Sequence, residues 1–171
     1  MLFDTMKNIR NMKPKIFGIA LLLTLTFIGS RLAAQKFPAF SFTDLQGNAF
    51  TQDQLETDKA IIAIFFDPYC DHCTQQADWI VESADLFKDV QMIWVTTELL
   101  EPTLEFYEAH FKDSGLKDIH FLLDKDFMFD SYFGYSEVPS IYIYDKNWKR
   151  IKALSKETPA DKLLEIINKK R

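Results

Sequence analysis

The chain has 171 residues, with 20 basic and 25 acidic side chains and a formal net charge of −5. That length suits a single domain with a short accessory segment, and 47% apolar residues supply a core. The acidic balance argues against nucleic acid as a partner, because affinity for phosphate rests on a basic surface.

The first thirty-four residues read as an export signal. Lys7, Arg10, Lys13 and Lys15 precede an apolar run over residues 16–28, and Leu32-Ala33-Ala34-Gln35 offers small residues for cleavage after Ala34. The run is shorter than the roughly twenty residues that span a bilayer, so a cleaved signal is expected, with an N-terminal anchor as the alternative. The domains are then residues 1–34, a signal peptide, and 35–171, the folded unit. Its location is exported, periplasmic or cell-envelope, and it meets a membrane only through its N-terminal segment. Without the signal, fifteen basic residues remain against twenty-four acidic ones.

Past the signal, weak alternation over residues 39–43, a turn at Gln46-Gly47-Asn48 and then Ala49-Phe50 predict a short hairpin. Thr51 is placed to cap a helical turn reaching Leu55. Residues 60–66 form an unbroken apolar run, which suits a central strand buried on both faces. From Cys70 to about Phe87, Cys73, Ala77, Ile80, Val81 and Ala84 recur at helical spacing, with Trp79 flanking. Residues 90–96 form the next strand, and 102–111 a helix with Pro102 in its first turn. A short strand follows at 120–123, then a helix or turn over 127–133 closed by Gly134. In the strand over 141–145, Ile141 and Ile143 share one face and Tyr142 and Tyr144 the other. A turn at Lys146-Asn147 leads into a strand over 150–154. Thr158 as cap, Pro159 at the first position and Asp161 in the first turn then open a last helix, buried through Leu163, Leu164 and Ile167. Strands alternating with helices, then a closing hairpin and helix, argue an α/β sandwich with a mixed sheet and helices on both faces.

The two cysteines of the chain, Cys70 and Cys73, stand where the apolar strand gives way to the amphipathic helix. Residues three apart on a helix lie about 5 to 6 Å apart at Cβ, a separation a disulfide tolerates. A helix N-terminus favours an anion, so Cys70 is the expected nucleophile and Cys73 the resolving thiol. His72, when protonated, would stabilise a thiolate and Asp71 would oppose it, so both are modulators. A static staple is the weaker reading, because so short a loop constrains little of the unfolded chain. Zinc is weaker still: no second Cys/His pair lies nearby, and His110 and His120 are isolated. No cofactor and no metal are called for.

These residues resemble the thioredoxin-like superfamily, and within it the exported TlpA/ResA-like thiol–disulfide oxidoreductases of the redoxin group. The likeness covers about residues 37–168. Its marks are the strand leading into Cys70-Asp71-His72-Cys73 and the Val138-Pro139 pair just before a strand, which matches the family's cis-proline. The resemblance implies a thioredoxin-like α/β/α sandwich with a mixed central sheet, an N-terminal hairpin and a helix-containing insertion, here about residues 98–119. It implies that Tyr69, Val138 and Pro139 contact substrate, and that the partners are protein dithiols or disulfides and a redox partner protein. An X–Pro bond reaches cis at small cost, and the turn exposes the Val138 backbone for pairing with an extended strand.

The chain departs from a conventional thioredoxin in three places. Tyr69 replaces the usual Trp, Asp71-His72 replaces Gly-Pro, and Ile64 stands where many thioredoxins bury an acid. The base that serves Cys73 is therefore open among Glu137, Asp67 and water. Cys-X-His-Cys is similar to oxidising DsbA-type centres and the insertion to reducing TlpA/ResA-type proteins, so the direction of electron flow is open too. The expected function is disulfide exchange with protein substrates. Two alternatives stand beside it. One is a peroxiredoxin-like thiol peroxidase, whose pattern ahead of the cysteine Asp67-Pro68-Tyr69 does not reproduce. The other is a copper-binding chaperone on the same fold, taking its last ligand from His110 or His120.

Overall fold

The computed structural model describes residues 35–134 and 137–169. The expected signal over residues 1–34 lies outside the described residues, as does Ser136.

A seven-stranded mixed sheet organises the domain. Its strands are β1 (Ser41–Asp44), β2 (Ala49–Thr51), β3 (Ala60–Phe65), β4 (Val90–Thr96), β5 (Ile119–Leu123), β6 (Ser140–Tyr144) and β7 (Arg150–Leu154). They run in the order β2-β1-β5-β4-β3-β6-β7. β3 pairs in parallel with β4 and antiparallel with β6, so the apolar run is a central strand, buried from Ala60 to Ile64. Successive side chains point to opposite faces. Ile62, Ile64, Met92, Trp94, Ile141 and Ile143 therefore enter one core, while Ile61, Ala63, Ile93, Val95, Tyr142 and Tyr144 enter the other.

Among the described residues four α-helices complete the fold: α1 (Asp71–Glu82), α2 (Leu100–His110), α3 (Phe129–Phe133) and α4 (Ala160–Asn168). The two faces are covered unequally. Cys73, Ala77 and Ile80 of α1, Phe106 of α2 and Leu163 and Ile167 of α4 all pack on the first face. Right-handed crossovers β3-α1-β4 and β4-α2-β5 progress across the sheet in one direction, which puts both helices on the same side. The second face is closed by the short α3 and by the segment leading into β1, mostly with aromatic rings. Phe37 meets Tyr144 edge-on at 4.8 Å, and Phe129 stacks on Phe133 at 4.5 Å.

Several boundaries depart from the sequence expectation. The redox-side helix ends at Glu82, because Ser83 leaves helical geometry (φ −110°, ψ 19°), and residues 84–87 form a separate 3-10 turn. α2 begins at Leu100, two residues before the expected start, so Pro102 sits third. Thr158 is not the cap of α4. Pro159 holds that place, because its carbonyl accepts the Lys162 and Leu163 N–H groups at 3.0 and 3.1 Å, while the Thr158 N–H goes to the Gln76 side chain at 2.7 Å. Leu163 and Ile167 are buried as expected, whereas Leu164 is half-buried. The turn after Thr51 is a 3-10 turn over Gln52–Gln54, closed by the Gln54 side chain accepting the Thr51 N–H at 2.7 Å.

Candidate active site

β3 delivers the chain to the cysteines. Beyond its last residue, the Phe66 N–H still reaches the Val95 carbonyl of the neighbouring strand, at 2.9 Å. The Phe66 ring is locked among Trp94, Phe106 and Phe121, at 5.3, 5.0 and 5.7 Å. From that anchor the chain turns. The Asp67 carboxylate accepts the Tyr69 N–H at 2.8 Å, and its carbonyl accepts the Cys70 N–H at 3.1 Å. An Asp that bonds its own backbone two residues on is a turn former.

Cys70 is the N-cap of α1, extended at φ −90° and ψ 120°. Its carbonyl accepts the N–H groups of Cys73 and Thr74, each at 3.0 Å, which sets Cys73 inside the first turn. Both sulfurs are free thiols here, with Cys70 half-buried and Cys73 wholly buried. The two are therefore chemically unequal. Burial pushes the Cys73 thiol well above the ordinary thiol range; the Asp67 amide opposes that shift, and contact with the Cys70 sulfur adds to it. A thiol that water cannot reach and that holds its proton suits the resolving role.

Beneath the pair, Ile64 is fully buried, in register with Trp94 on one side and Ile141 on the other. No acid lies at that position. Of the candidate bases, Asp67 is the one whose amide and charge both reach Cys73. Glu137 is exposed, and its N–H is bound to the Ser140 hydroxyl at 2.9 Å.

The Val138–Pro139 peptide bond is cis, at the start of β6 beside the end of β3. Val138 is 40% exposed, and among the described residues its backbone N–H and carbonyl have no backbone partner. Tyr69 is also exposed, at 75%. The strand order thus brings Tyr69, Cys70, Cys73, Val138 and Pro139 to one end of the sheet, where the parallel strands finish.

Two polar contacts at this site lie beyond sequence reasoning. His72 Nδ1 stands 3.1 Å from Glu157 Oε1, so this histidine has a carboxylate partner from the loop before α4. Gln76 is fully buried on α1, and its Oε1 accepts the Thr158 N–H, tying that same loop to the redox helix. Gln76 falls one position off the apolar stripe, and a polar residue there is the single signal the sequence offered. Asp71 is exposed in the first turn of α1.

The remaining histidines lie elsewhere. His110 Nδ1 pairs with Asp78 at 3.0 Å, and His120 lies against Phe50 at 4.6 Å on the far side of β5. Neither joins the cysteines. Among the described residues no group of three or more His, Cys, Asp or Glu side chains is set to hold a metal ion. Among the same residues, no helix is long and apolar enough to cross a membrane.

The redoxin family model matches residues 32–158. No curated protein sequence matches the chain. Among solved structures, DsbF of MTB, in its mixed oxidized and reduced forms, superposes with a TM-score of 0.64 at 21% identity, over 76% of this chain and 93% of that one. The peroxidoxin BcpB of Mycobacterium tuberculosis gives 0.67 at 18% identity, over 81% and 97%. A secreted disulfide oxidoreductase of the same organism, homologous to E. coli DsbE, gives 0.62 at 19% identity, over 76% and 95%. Likeness at these identities is one of fold, and the fold is the thioredoxin-like sandwich.

Proposed function

Because this chain belongs to the redoxin family, we propose that it is an exported oxidoreductase that exchanges disulfides with protein substrates through Cys70 and Cys73. The observation that carries this reading is the inequality of the two sulfurs. Cys70 caps a helix N-terminus and is partly open to solvent, whereas Cys73 is sealed, and that burial pushes its thiol above the ordinary range.

The reaction runs in two steps. The Cys70 thiolate attacks one sulfur of a substrate disulfide; that S–S bond breaks, Cys70 is joined to the substrate, and the departing sulfur takes up a proton. Cys73 then loses its proton toward Asp67 or solvent and attacks the Cys70 sulfur. The intramolecular disulfide closes, the second substrate thiol leaves, and two electrons have passed to the substrate. Reversed, the same steps deliver a disulfide to a dithiol. The potential against glutathione fixes the net direction: a value near about −270 mV marks a reductant of the TlpA/ResA kind and one near about −120 mV an oxidant.

Val138 and Tyr69 support a peptide-binding role, being exposed beside the pair, with Val138 offering to an extended strand backbone groups that have no backbone partner among the described residues. The basic and apolar N-terminal pattern supports export. In the test, Cys73→Ser accumulates covalent substrate adducts and Cys70→Ser forms none. Equal, undiminished turnover in both variants rejects the mechanism.

A further inference from the structure

Among the described residues, eight large apolar side chains are exposed, and six of them stand at one end of the sheet. Tyr69 follows β3, Leu99 and Leu100 follow β4, Phe127 and Met128 follow β5, and Val138 precedes β6. These are four adjacent strands, and Cys70 lies on the same rim. Apolar side chains scattered singly need no explanation, but six gathered in four adjacent loops at one end of a sheet, beside Cys70, point to an interaction site.

The backbone holds Phe127 out. Phe127 is 73% exposed and sits at φ 55°, a left-handed conformation disfavoured for a bulky side chain. Asp124 fixes the turn: its buried carboxylate accepts the N–H groups of Met128 and Phe129 at 2.9 and 2.7 Å. Strain kept in place by a buried anchor, with an aromatic ring displayed to solvent, is a signature of function rather than of packing.

Charge supplies the second property of the surface. Asp71, Glu101, Asp126 and Glu137 are exposed around the same rim, and Glu98 is half-buried there. Against them the rim loops after β3, β4 and β5 and before β6 carry, among the described residues, one lysine, Lys125, and the loop before α4 that reaches His72 adds Lys156. The sequence from residue 89 to residue 111 has neither lysine nor arginine.

We propose that this end of the sheet is a docking surface for an extended segment of another polypeptide, apolar at its centre and lysine- or arginine-bearing at its flanks, whose sulfur meets Cys70. The inference rests on reading Cys70 and Cys73 as an exchange centre and adds the class of substrate. Four strands about 4.8 Å apart span roughly 14 Å, which an extended chain covers in about four residues at about 3.3 Å each. The insertion that carries α2 therefore widens the contact beyond the cysteine turn, through Leu99 and Leu100.

The test uses the full, reduced chain and three disulfides. Two are pentapeptides with a central cysteine, one flanked by leucine and lysine, the other by serine and glutamate; the third is neutral 2-hydroxyethyl disulfide. At low salt the leucine-lysine peptide is expected to react about tenfold or more faster than the serine-glutamate peptide. Roughly 1 M salt should remove the part of that preference that is due to charge. The doubly substituted Leu99→Ser/Phe127→Ser protein, checked for folding by circular dichroism, loses most of the remainder while its rate with 2-hydroxyethyl disulfide is unchanged. Equal rates for the two peptides, or an unaltered preference in the variant, overturn the proposal and leave the exchange chemistry standing.

A separate readout removes dependence on that chemistry. The same two peptides, with serine for cysteine and a fluorescent label, are titrated with the protein and followed by anisotropy. Tighter binding of the leucine-lysine peptide, weakened by the double substitution, supports docking even if no disulfide is exchanged. Binding that ignores the substitution overturns it, as does light scattering showing that the rim is occupied by a second copy of this chain.

Discussion

Alkylation of the reduced protein separates the two sulfurs directly. Cys73 is fully buried, so a reagent reaches it through local opening, and its thiol is also held above the ordinary range by that burial. A free thiol near 8.5 is about 3% ionised at pH 7, and each further unit lowers that fraction about tenfold. Restricted access and suppressed ionisation multiply. Iodoacetamide at pH 7 should therefore modify Cys70 at least about a hundredfold faster than Cys73. Peptide mapping by mass spectrometry over a time course reads both rates in one sample, and the same reagent in urea, where both thiols are exposed, should label them at similar rates. Cys70→Ser provides the stricter form: its single remaining thiol should stay unmodified until the protein is unfolded. Modification of Cys73 within about tenfold of Cys70 in the folded protein would refute the argument that burial sets the order of attack.

Three further outcomes follow from the same geometry. The reduced protein should lose stability as pH rises above about 8.5, because folded Cys73 keeps a proton that the unfolded chain releases; Cys73→Ala and the oxidised protein should lack that slope in calorimetric Tm. On the acid side, burial holds His120 below the usual imidazole range, with Asp118 opposing, so stability should fall as pH drops below about 6.5. A His120→Gln chain would flatten that part of the profile, and an unchanged profile would contradict the assignment. Gly134, at the C-cap of α3 with φ 105° and ψ 170°, tests the backbone: a Cβ there meets nothing within 4 Å, so Gly134→Ala should cost about 1–3 kcal/mol in urea unfolding from conformation alone.

The sequence made the sheet legible where burial has a period. The continuous run of β3, the opposed faces of Ile141 and Tyr142, and the cysteine helix all follow from one-dimensional patterns, and the structure bears them out. The cis bond before Pro139 came from resemblance, not pattern, and it too is present. The polar connections stayed hidden for a physical reason. Gln76 meets Thr158 across 82 residues, and Glu157 meets His72 from the same distant loop, contacts that no local periodicity encodes. Helix ends were misplaced by similar competition. Ser83 breaks α1 where the apolar stripe continues, and the first bonds of α4 go to the Pro159 carbonyl, one residue past Thr158. The display of Phe127 is invisible for another reason: composition marks it as one more core phenylalanine, and the Asp124 turn alone turns it outward.

Ile64 gives the asymmetry of the cysteines its consequence. With an aliphatic side chain sealed beneath the pair, no buried carboxyl stands ready to take the Cys73 proton, and burial disfavours the thiolate further. Attack by Cys70 is governed by access at a helix N-terminus, but closure by Cys73 needs a deprotonation for which this interior supplies no internal base at position 64. A higher thiol pKa also makes the resulting thiolate more nucleophilic, with a Brønsted slope of about 0.4–0.5, which recovers only about half of the loss in ionised fraction. Deprotonation of Cys73 is thus the demanding part of closure, so the decay of a mixed disulfide on Cys70, followed by quenched mass spectrometry, should quicken as pH rises, and a decay independent of pH would refute this reasoning.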